Sequence, residues 1–129
     1  MMEVDHLDHL VLTVRDIDRT VKFYQSVLGM KKEVFDQDHV ALKFGNQKIN
    51  LHLQGKEFEP KAGNVCPGSA DLCFIIKTPI ADAKEHLENL GVQVIEGPVK
   101  RTGAMGSMIS LYFRDPDKNL IEISNYKLP

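Results

Sequence analysis

The chain has 129 residues, of which 43% are hydrophobic and 26% charged, and its formal net charge is −2. This is the composition of an ordinary globular protein, and the charge gives no electrostatic case for binding nucleic acid or an anionic membrane. No apolar run approaches the roughly 20 residues of a membrane-spanning helix. The N-terminus lacks a signal-peptide pattern, and Cys66 and Cys73 do not form a disulfide framework, so we predict a cytoplasmic protein.

The first half of the chain is predicted to be a strand, a helix and three strands. Residues 7–14 alternate apolar side chains as a half-buried strand does. Apolar residues recur at helical spacing from Ile17 to Leu28, with Asp16 or Asp18 as a suitable N-cap and Gly29 as a suitable C-cap. Short strands are then predicted at 30–35, 40–44 and 48–53.

The second half repeats this order after a loop or linker at 54–69, which is rich in glycine and proline. A strand is predicted at 70–76, followed by a helix that has Pro79 in its first turn and stops at Gly91. Further strands are predicted at 93–96, 108–113 and 120–125, with a loop at 97–107. We therefore predict an α+β domain over 1–129, made of module 1 (about 5–54), a linker (55–69) and module 2 (70–127).

The repeat can be matched by residue number. The Leu-Gly pair that ends each helix recurs at an offset of about 62, which places Asp71 at the position of His9. An offset of about 70 superposes the strands at 48–53 and 118–123, which places Glu122 at the position of His52. A repeat of this length predicts two copies of one unit related by a pseudo-twofold axis.

Glu122 is the most informative single residue. It lies within a predicted strand, on the face opposite the aliphatic pair Ile121 and Ile123, because side chains alternate along a strand. A buried carboxylate is costly unless it is paired or binds a metal. Either the strand is at an edge with Glu122 in solvent, or Glu122 belongs to a site.

Four ionisable residues occupy comparable places in the two modules. His9, His52, Asp71 and Glu122 each lie on the first or last strand of a module, opposite an aliphatic row. Two imidazoles and two carboxylates form a ligand set for a divalent transition metal. The alternative is that each lies on a solvated sheet face. His6, His39 and His86 are predicted at the surface, and Arg101 either meets an anionic substrate group or lies in a solvated loop.

The chain resembles the vicinal oxygen chelate superfamily, which groups glyoxalase I, fosfomycin-resistance enzymes, bleomycin-resistance proteins and extradiol dioxygenases. Within it, the chain is similar to the subgroup named for glyoxalase domain-containing protein 5. The resemblance covers nearly the whole sequence. It is carried by the segments at 7–14, 23–30, 47–52, 68–73 and 112–126, including Phe23-Tyr24, Leu28-Gly29 and Asp115-Pro116-Asp117.

The resemblance implies paired βαβββ modules whose curved mixed sheets enclose a divalent metal ion (Ni, Zn, Co, Mn or Fe). His9 matches the first-strand ligand and Glu122 the last-strand ligand. His52 stands where glyoxalase I usually has a carboxylate, and Asp71 where many members have a histidine, so the two ligand types are exchanged. The predicted roles are metal ligation by His9, His52 and Glu122, catalysis by Glu122 and Asp71, and substrate binding by Arg101, Tyr112 and Asn125.

Three functions are compatible with this resemblance. The first is a glyoxalase I-like lyase or isomerase that acts on a small oxygenated substrate, such as the hemithioacetal of methylglyoxal and glutathione or another thiol. The second is an Fe(II) extradiol dioxygenase, since two histidines and a carboxylate form a facial triad. The third is a non-catalytic drug-binding or resistance protein. Module pairing, within a chain or swapped between chains, further predicts a homodimer.

Overall fold

The computed structural model describes residues 1–127, and they form two helices and eight strands in two compact units. Unit 1 runs from Met1 to Pro67, and unit 2 begins at Gly68. In unit 1 the elements are β1 (His9–Val14), α1 (Ile17–Leu28), β2 (Lys31–Phe35), β3 (His39–Phe44) and β4 (Gln47–Leu53). In unit 2 they are β5 (Asp71–Ile75), α2 (Ile80–Asn89), β6 (Glu96–Gly103), β7 (Gly106–Arg114) and β8 (Leu120–Tyr126).

Unit 1 is a four-stranded mixed sheet with a helix packed on one face. Its strand order is β1-β4-β3-β2, in which only the β1–β4 pair is parallel. The Asp16 side chain caps α1 by accepting the Arg19 N–H at 2.9 Å, and Gly29 ends the helix at φ 66°. The apolar side of α1, which includes the fully buried Tyr24, packs toward β2, β3 and β4, where Leu42 and Ile49 are also fully buried.

Unit 2 repeats the arrangement, with strand order β5-β8-β7-β6 and a single parallel pair, β5–β8. Its helix α2 packs on β7, and the core is made by the helix and by the aliphatic rows of β7 and β8. The predicted α+β fold of two βαβββ modules is confirmed. No helix in residues 1–127 is long and apolar enough to cross a membrane.

The turn between β7 and β8 is fixed by one buried carboxylate. Asp115 Oδ1 accepts the backbone N–H groups of Asp117 and Asn119, each at 2.9 Å. Asn119 donates from Nδ2 to Asp115 Oδ2 at 2.8 Å and accepts the Ala70 N–H at 2.9 Å, which ties the turn to the start of β5. These bonds satisfy buried polar groups and set the point at which β8 enters the sheet.

The predicted strand at 93–96 and loop at 97–107 are wrong. Strand β6 covers Glu96–Gly103 and pairs with β7 as a hairpin, with a register irregularity between Glu96 and Val99. The glycines read as loop signals have other uses here. Gly97 has φ 114° and lies so close to β7 that an added Cβ would be 2.4 Å from the Ser110 carbonyl oxygen, while Gly103 and Gly106 flank the hairpin tip.

Strand β8 is central, because it hydrogen-bonds to β5 on one side and β7 on the other. Ile121 and Ile123 are buried in the core, and Glu122 is half-buried on the opposite face, as the alternation predicts. The edge-strand interpretation of Glu122 is therefore wrong.

Candidate metal and substrate site

Glu122 lies at the centre of a polar patch on the sheet of unit 2. Paired residues of neighbouring strands share a face, and Glu122 pairs with Cys73 of β5 and with Tyr112 of β7. Two cavities of about 390 and 380 Å³ open beside it, and both are lined by Glu122 and Arg101. Asp71 lines the first cavity and Cys73 the second.

Two fully buried hydroxyls hold one oxygen of the Glu122 carboxylate. Ser110 donates to Glu122 Oε2 at 2.7 Å, and Ser124 Oγ lies 3.3 Å from the same oxygen. The two serine oxygens are 2.6 Å apart, and the Cys73 thiol is 3.4 Å from Ser124 Oγ. Hydrogen bonds to a charged acceptor are among the stronger ones in proteins, so this pair fixes the orientation of the carboxylate.

Arg101 and Tyr112 form one side of the patch. Arg101 Nε donates to the Tyr112 hydroxyl at 3.0 Å, and its guanidinium is also paired with Glu96 and donates to the Lys100 carbonyl at 2.9 Å. Burial raises the pKa of Tyr112, the Arg101 hydrogen bond opposes this, and the charge of Glu122 adds to the rise. Tyr112 is therefore a neutral hydroxyl at pH 7, and Arg101 is held in place rather than free in a solvated loop.

Asp71 and Cys73 lie on the same strand face and differ in charge. Asp71 is exposed at the start of β5, two residues before Cys73 on the same strand face. Burial is the main cause that raises the pKa of the Cys73 thiol, so it is protonated at neutral pH.

Asn125 lies on the other face, where its amide binds the backbone around the start of α2. Its Oδ1 accepts the Ile80 N–H at 2.8 Å, and its Nδ2 donates to the Ile76 and Thr78 carbonyls at 3.0 Å each. Because both amide hydrogens are in use, Asn125 has a structural role that the sequence did not reveal.

His9 stands at the start of β1 in unit 1 and is exposed. Its Nδ1 is hydrogen-bonded to Asp8 Oδ2 at 2.8 Å, and this bond is the main cause that lowers the pKa of Asp8. A carboxylate acceptor places the imidazole proton on Nδ1 and leaves the lone pair on Nε2. This is the arrangement found for metal-binding histidines, which donate their other ring N–H to a carboxylate, carbonyl or water.

His52 lies on the same sheet face as His9 but at the other end of the strand pair. It is 8% exposed, and the ring of Phe58 contacts it edge-on with 5.4 Å between centroids. Burial lowers the pKa of His52, and the charge of Glu57 only partly opposes this, so the imidazole is neutral at pH 7. His39, predicted at the surface, is half-buried and stacks on Phe58 at 3.9 Å.

The strand registers change the matching of the two modules. In unit 2 the parallel pair sets Cys73 opposite Glu122, and in unit 1 it sets Val11 opposite Asn50. Since Val11 and Cys73 are equivalent in the repeat, the position of Glu122 corresponds to Asn50. The predicted correspondence of Glu122 with His52 is wrong by two residues. Because side chains alternate along a strand, Asn50 and His52 lie on the same face of the sheet and differ only in their position along β4.

The same registers separate His9 from His52. His52 pairs with Thr13, four residues beyond His9, so the two Cα atoms are about 14 Å apart at the usual strand rise and spacing. Asn50 is two residues along β4 from Lys48, which pairs with His9, so the Cα atoms of His9 and Asn50 are about 8 Å apart. In the described part of the chain, Asn50 Oδ1 and His52 Nδ1 are the buried side-chain atoms without a hydrogen-bond partner. Asn50 was visible in the sequence only as a residue on the face of His52.

No group of three or more His, Cys, Asp and Glu side chains within residues 1–127 is placed to hold a metal ion. Unit 1 offers the His9 imidazole and the Asn50 amide oxygen, and unit 2 offers the Glu122 carboxylate. An imidazole nitrogen with carboxylate and carbonyl oxygens is a suitable donor set for a divalent cation.

Comparison with known proteins gives the family. The model of the Glyoxalase/Bleomycin resistance protein/Dioxygenase superfamily matches residues 6–123. The chain belongs to this superfamily. It is 59% identical over 126 residues to glyoxalase domain-containing protein RDO1 of Mycosarcoma maydis, covering 98% of this chain and 71% of the relative.

Two further relatives cover almost the whole chain. Virulence protein STM3117 of Salmonella typhimurium is 58% identical over 125 residues, which are 97% of this chain and 87% of that protein. A solved structure of an integron cassette protein from the mobile metagenome of V. cholerae has a TM-score of 0.96 at 61% identity, covering 98% of this chain and 99% of that one. These names assign no reaction.

Proposed function

We propose that this superfamily member is a metal-dependent, glyoxalase I-like lyase or isomerase that acts on a small oxygenated substrate such as a methylglyoxal–thiol hemithioacetal. The observation that carries the proposal is the Asp8–His9 pair on the sheet face that also carries Asn50. It combines an imidazole whose Nε2 lone pair is available with a buried amide oxygen that lacks a partner. Superfamily membership and the equivalent position of Glu122 in unit 2 support it.

The proposed ligands are His9, Glu122 and one further residue of β4. The sequence predicts His52 as that residue. The register favours Asn50, because it is about 8 Å rather than 14 Å from His9 between Cα atoms, while metal–ligand bonds are roughly 2.0–2.3 Å. Among the predicted metals, a set with two oxygen donors and one imidazole suits Mn²⁺.

When bound, the metal would act as a Lewis acid that stabilises negative charge on substrate oxygens. The chain's own groups would do the remaining work. Glu122 or Asp71 takes and returns the substrate proton, because both are carboxylates on one sheet face. Arg101 and the neutral Tyr112 hydroxyl, already bonded to each other, would bind polar substrate groups at the cavity that Glu122 also lines.

Since each unit carries part of the ligand set, the proposal requires two modules to face one another. The second module comes either from the same chain or from a second copy, and we propose a homodimer. Light scattering at micromolar concentration tests this. A monomer that nevertheless binds metal would assign both modules of the site to one chain and would refute the dimer.

The first experiment is metal titration by calorimetry with Ni²⁺, Zn²⁺, Co²⁺, Mn²⁺ and Fe²⁺. We expect Glu122→Gln and His9→Gln to weaken binding at least tenfold, while the exposed controls Glu85→Gln and His6→Gln bind as wild type does. Asn50→Ala and His52→Ala then distinguish the two candidates on β4, since only the true ligand should lower the affinity. Wild-type protein without measurable affinity for any of these ions would refute the proposed site.

The second experiment tests the reaction at saturating metal. General acid–base groups contribute typically 10²–10⁴-fold, so the group that moves the proton should lose that factor when its carboxylate is changed to an amide. Comparing Glu122→Gln with Asp71→Asn assigns the role. Bound Fe(II) with catechol cleavage would replace the lyase proposal by the dioxygenase, and a protein without tight metal would be a binding protein.

A further inference from the structure

Cys73 is a nucleophilic group beside Glu122 that the proposed reaction does not use. It lies on β5, pairs with Glu122 of β8 in the strand register and lines the cavity of about 380 Å³ together with it. The Cys73 thiol is 3.4 Å from Ser124 Oγ, which is 2.6 Å from Ser110 Oγ. Ser110 in turn donates to Glu122 Oε2 at 2.7 Å. The four groups form a continuous row of contacts from the thiol to the carboxylate.

The carboxylate determines the direction of the hydrogen bonds in this row. An ionised carboxylate can only accept, so Ser110 uses its single hydroxyl hydrogen on Glu122 Oε2. Two hydroxyl oxygens 2.6 Å apart need a hydrogen between them, and because the Ser110 hydrogen is already used, Ser124 donates it. The 3.3 Å from Ser124 Oγ to Glu122 Oε2 agrees with this direction, since O–H···O bonds usually span about 2.5–3.0 Å.

The Ser124 oxygen is then left to accept, and the Cys73 thiol is placed to donate to it. A hydroxyl has one hydrogen and two acceptor lone pairs, so Ser124 can donate to Ser110 and accept from Cys73 at once. The thiol keeps its hydrogen at neutral pH, because burial raises its pKa. Every hydrogen in the row therefore points toward Glu122, and bonds in such a chain polarise one another.

The thiol also favours one of two arrangements of the serine hydroxyls. In the reverse arrangement Ser110 donates to Ser124, and Ser124 donates to Glu122 across 3.3 Å, which is a weaker bond than the one of 2.7 Å. Without the thiol hydrogen, the Ser124 oxygen loses its donor in the observed arrangement, whereas the reverse arrangement would give it the hydrogen of Ser110. Removal of that hydrogen therefore shifts the pair toward the weaker contact with Glu122.

We propose that Cys73 is a positioning residue for Glu122. Its thiol donates the first hydrogen bond of a chain that continues through the two serines to Glu122 Oε2 and holds that oxygen in one orientation. The chain itself does not depend on the proposed function. Its effect on metal affinity rests on the proposed role of Glu122 as a ligand, because partners that orient a ligand affect how tightly the metal is held.

The first test removes the thiol hydrogen reversibly in EDTA-treated, ¹³C-labelled protein. In a Cys66→Ala background, methyl methanethiosulfonate converts the Cys73 thiol to a methyl disulfide and releases methanesulfinic acid, and dithiothreitol restores the thiol. The readout is the side-chain carboxyl ¹³C signal of Glu122, assigned by its disappearance in Glu122→Gln. We expect this signal to move on modification and to return after reduction. A signal that stays in place would overturn the proposal.

Variants separate the hydrogen bond from the bulk of the added group. Cys73→Ala adds no volume and should move the Glu122 signal in the same direction as the modification does. The matched control is Ile75→Ala, which truncates an exposed side chain that pairs with Ser124 in the strand register but has no hydrogen-bond donor. We expect the control to leave the signal at its wild-type position, and a control that moves it as far as Cys73→Ala would overturn the proposal.

Ser124→Ala tests whether the effect passes through the serines. Because this variant removes the link next to the thiol, adding Cys73→Ala to it should not move the Glu122 signal further. A further movement as large as that seen with the serine present would overturn the proposal, since Cys73 would then act on Glu122 directly.

Metal titration connects the chain to the proposed site. Cys73→Ala should weaken metal binding at least about twofold, which corresponds to the lower limit of coupling in one hydrogen-bond network. Wild-type affinity in Cys73→Ala would overturn the positioning role. If the wild-type protein binds none of the metals, the proposed function fails, while the ¹³C measurements on metal-free protein still decide whether the chain exists.

Discussion

The hydrogen bond from Ser110 to Glu122 gives a sharp prediction. Ser110→Ala removes the hydroxyl that donates to Glu122 Oε2 at 2.7 Å from a fully buried position, without adding volume. A hydrogen bond to a charged group contributes about 1.5–3 kcal/mol. Ser124, 3.3 Å from the same oxygen, can replace part of this interaction, so we expect a loss of about 2 kcal/mol in the free energy of unfolding.

Urea unfolding followed by circular dichroism measures this loss. The matched control is Ser107→Ala, an exposed serine on the same strand, which should stay within about 0.5 kcal/mol of wild type. A double-mutant cycle with Glu122→Gln should give a coupling energy of at least about 0.5 kcal/mol, as expected for residues in one hydrogen-bond network.

The same substitution bears on the metal site, if Glu122 is a ligand. Loss of a group that orients a ligand typically costs 10- to 100-fold in metal affinity, so Ser110→Ala should bind metal that much more weakly. Wild-type stability together with a coupling energy of zero would refute the argument that the serine pair holds the carboxylate. Weaker stability with unchanged metal affinity would leave the serine a purely structural role.

Three further predictions rest on contacts in one unit each. Burial lowers the pKa of His52 below its unfolded value near 6.5, so the unfolded state takes up a proton before the folded state does as the pH falls. The free energy of unfolding of the wild type should therefore fall relative to that of His52→Phe as the pH drops from about 7.5 through 6.5 toward the folded pKa. Equal pH profiles for the two proteins would contradict this. Asn125→Ala should lower the free energy of unfolding by about 1–2 kcal/mol through loss of the bond at the start of α2, with KM unchanged; a raised KM at normal stability would restore a substrate role. Gly97→Ala should lower the free energy of unfolding by about 1–3 kcal/mol or more, since φ is 114° and the added Cβ would meet the Ser110 carbonyl oxygen. In the control Gly63→Ala the added Cβ has no neighbouring atom within 4 Å, so its free energy of unfolding in the same urea assay should be close to that of the wild type.

The sequence by itself determined the elements with strong local signals. The end of α1 follows from Gly29, and its start was narrowed to Asp16 or Asp18, because a capping carboxylate and a left-handed glycine act within a few residues; the structure shows that Asp16 is the cap. Alternation placed Glu122 opposite Ile121 and Ile123, since a period of two depends only on the strand itself. The prediction of a loop at 97–107 was wrong because Gly97 is needed where the backbone passes close to β7, and no local sequence pattern reveals such a contact.

Only the tertiary structure decided which residues are neighbours across strands. Strand register is fixed by the pairing of a whole sheet. Asn50 and His52 are two residues apart on the same strand face, so the repeat in the sequence could not show which of them corresponds to Glu122. The buried serine pair beneath Glu122 and the folding of the 54–66 segment over His52 depend likewise on contacts between residues far apart in sequence. Local spacing identified the ionisable residues, and long-range packing set the environment of each one.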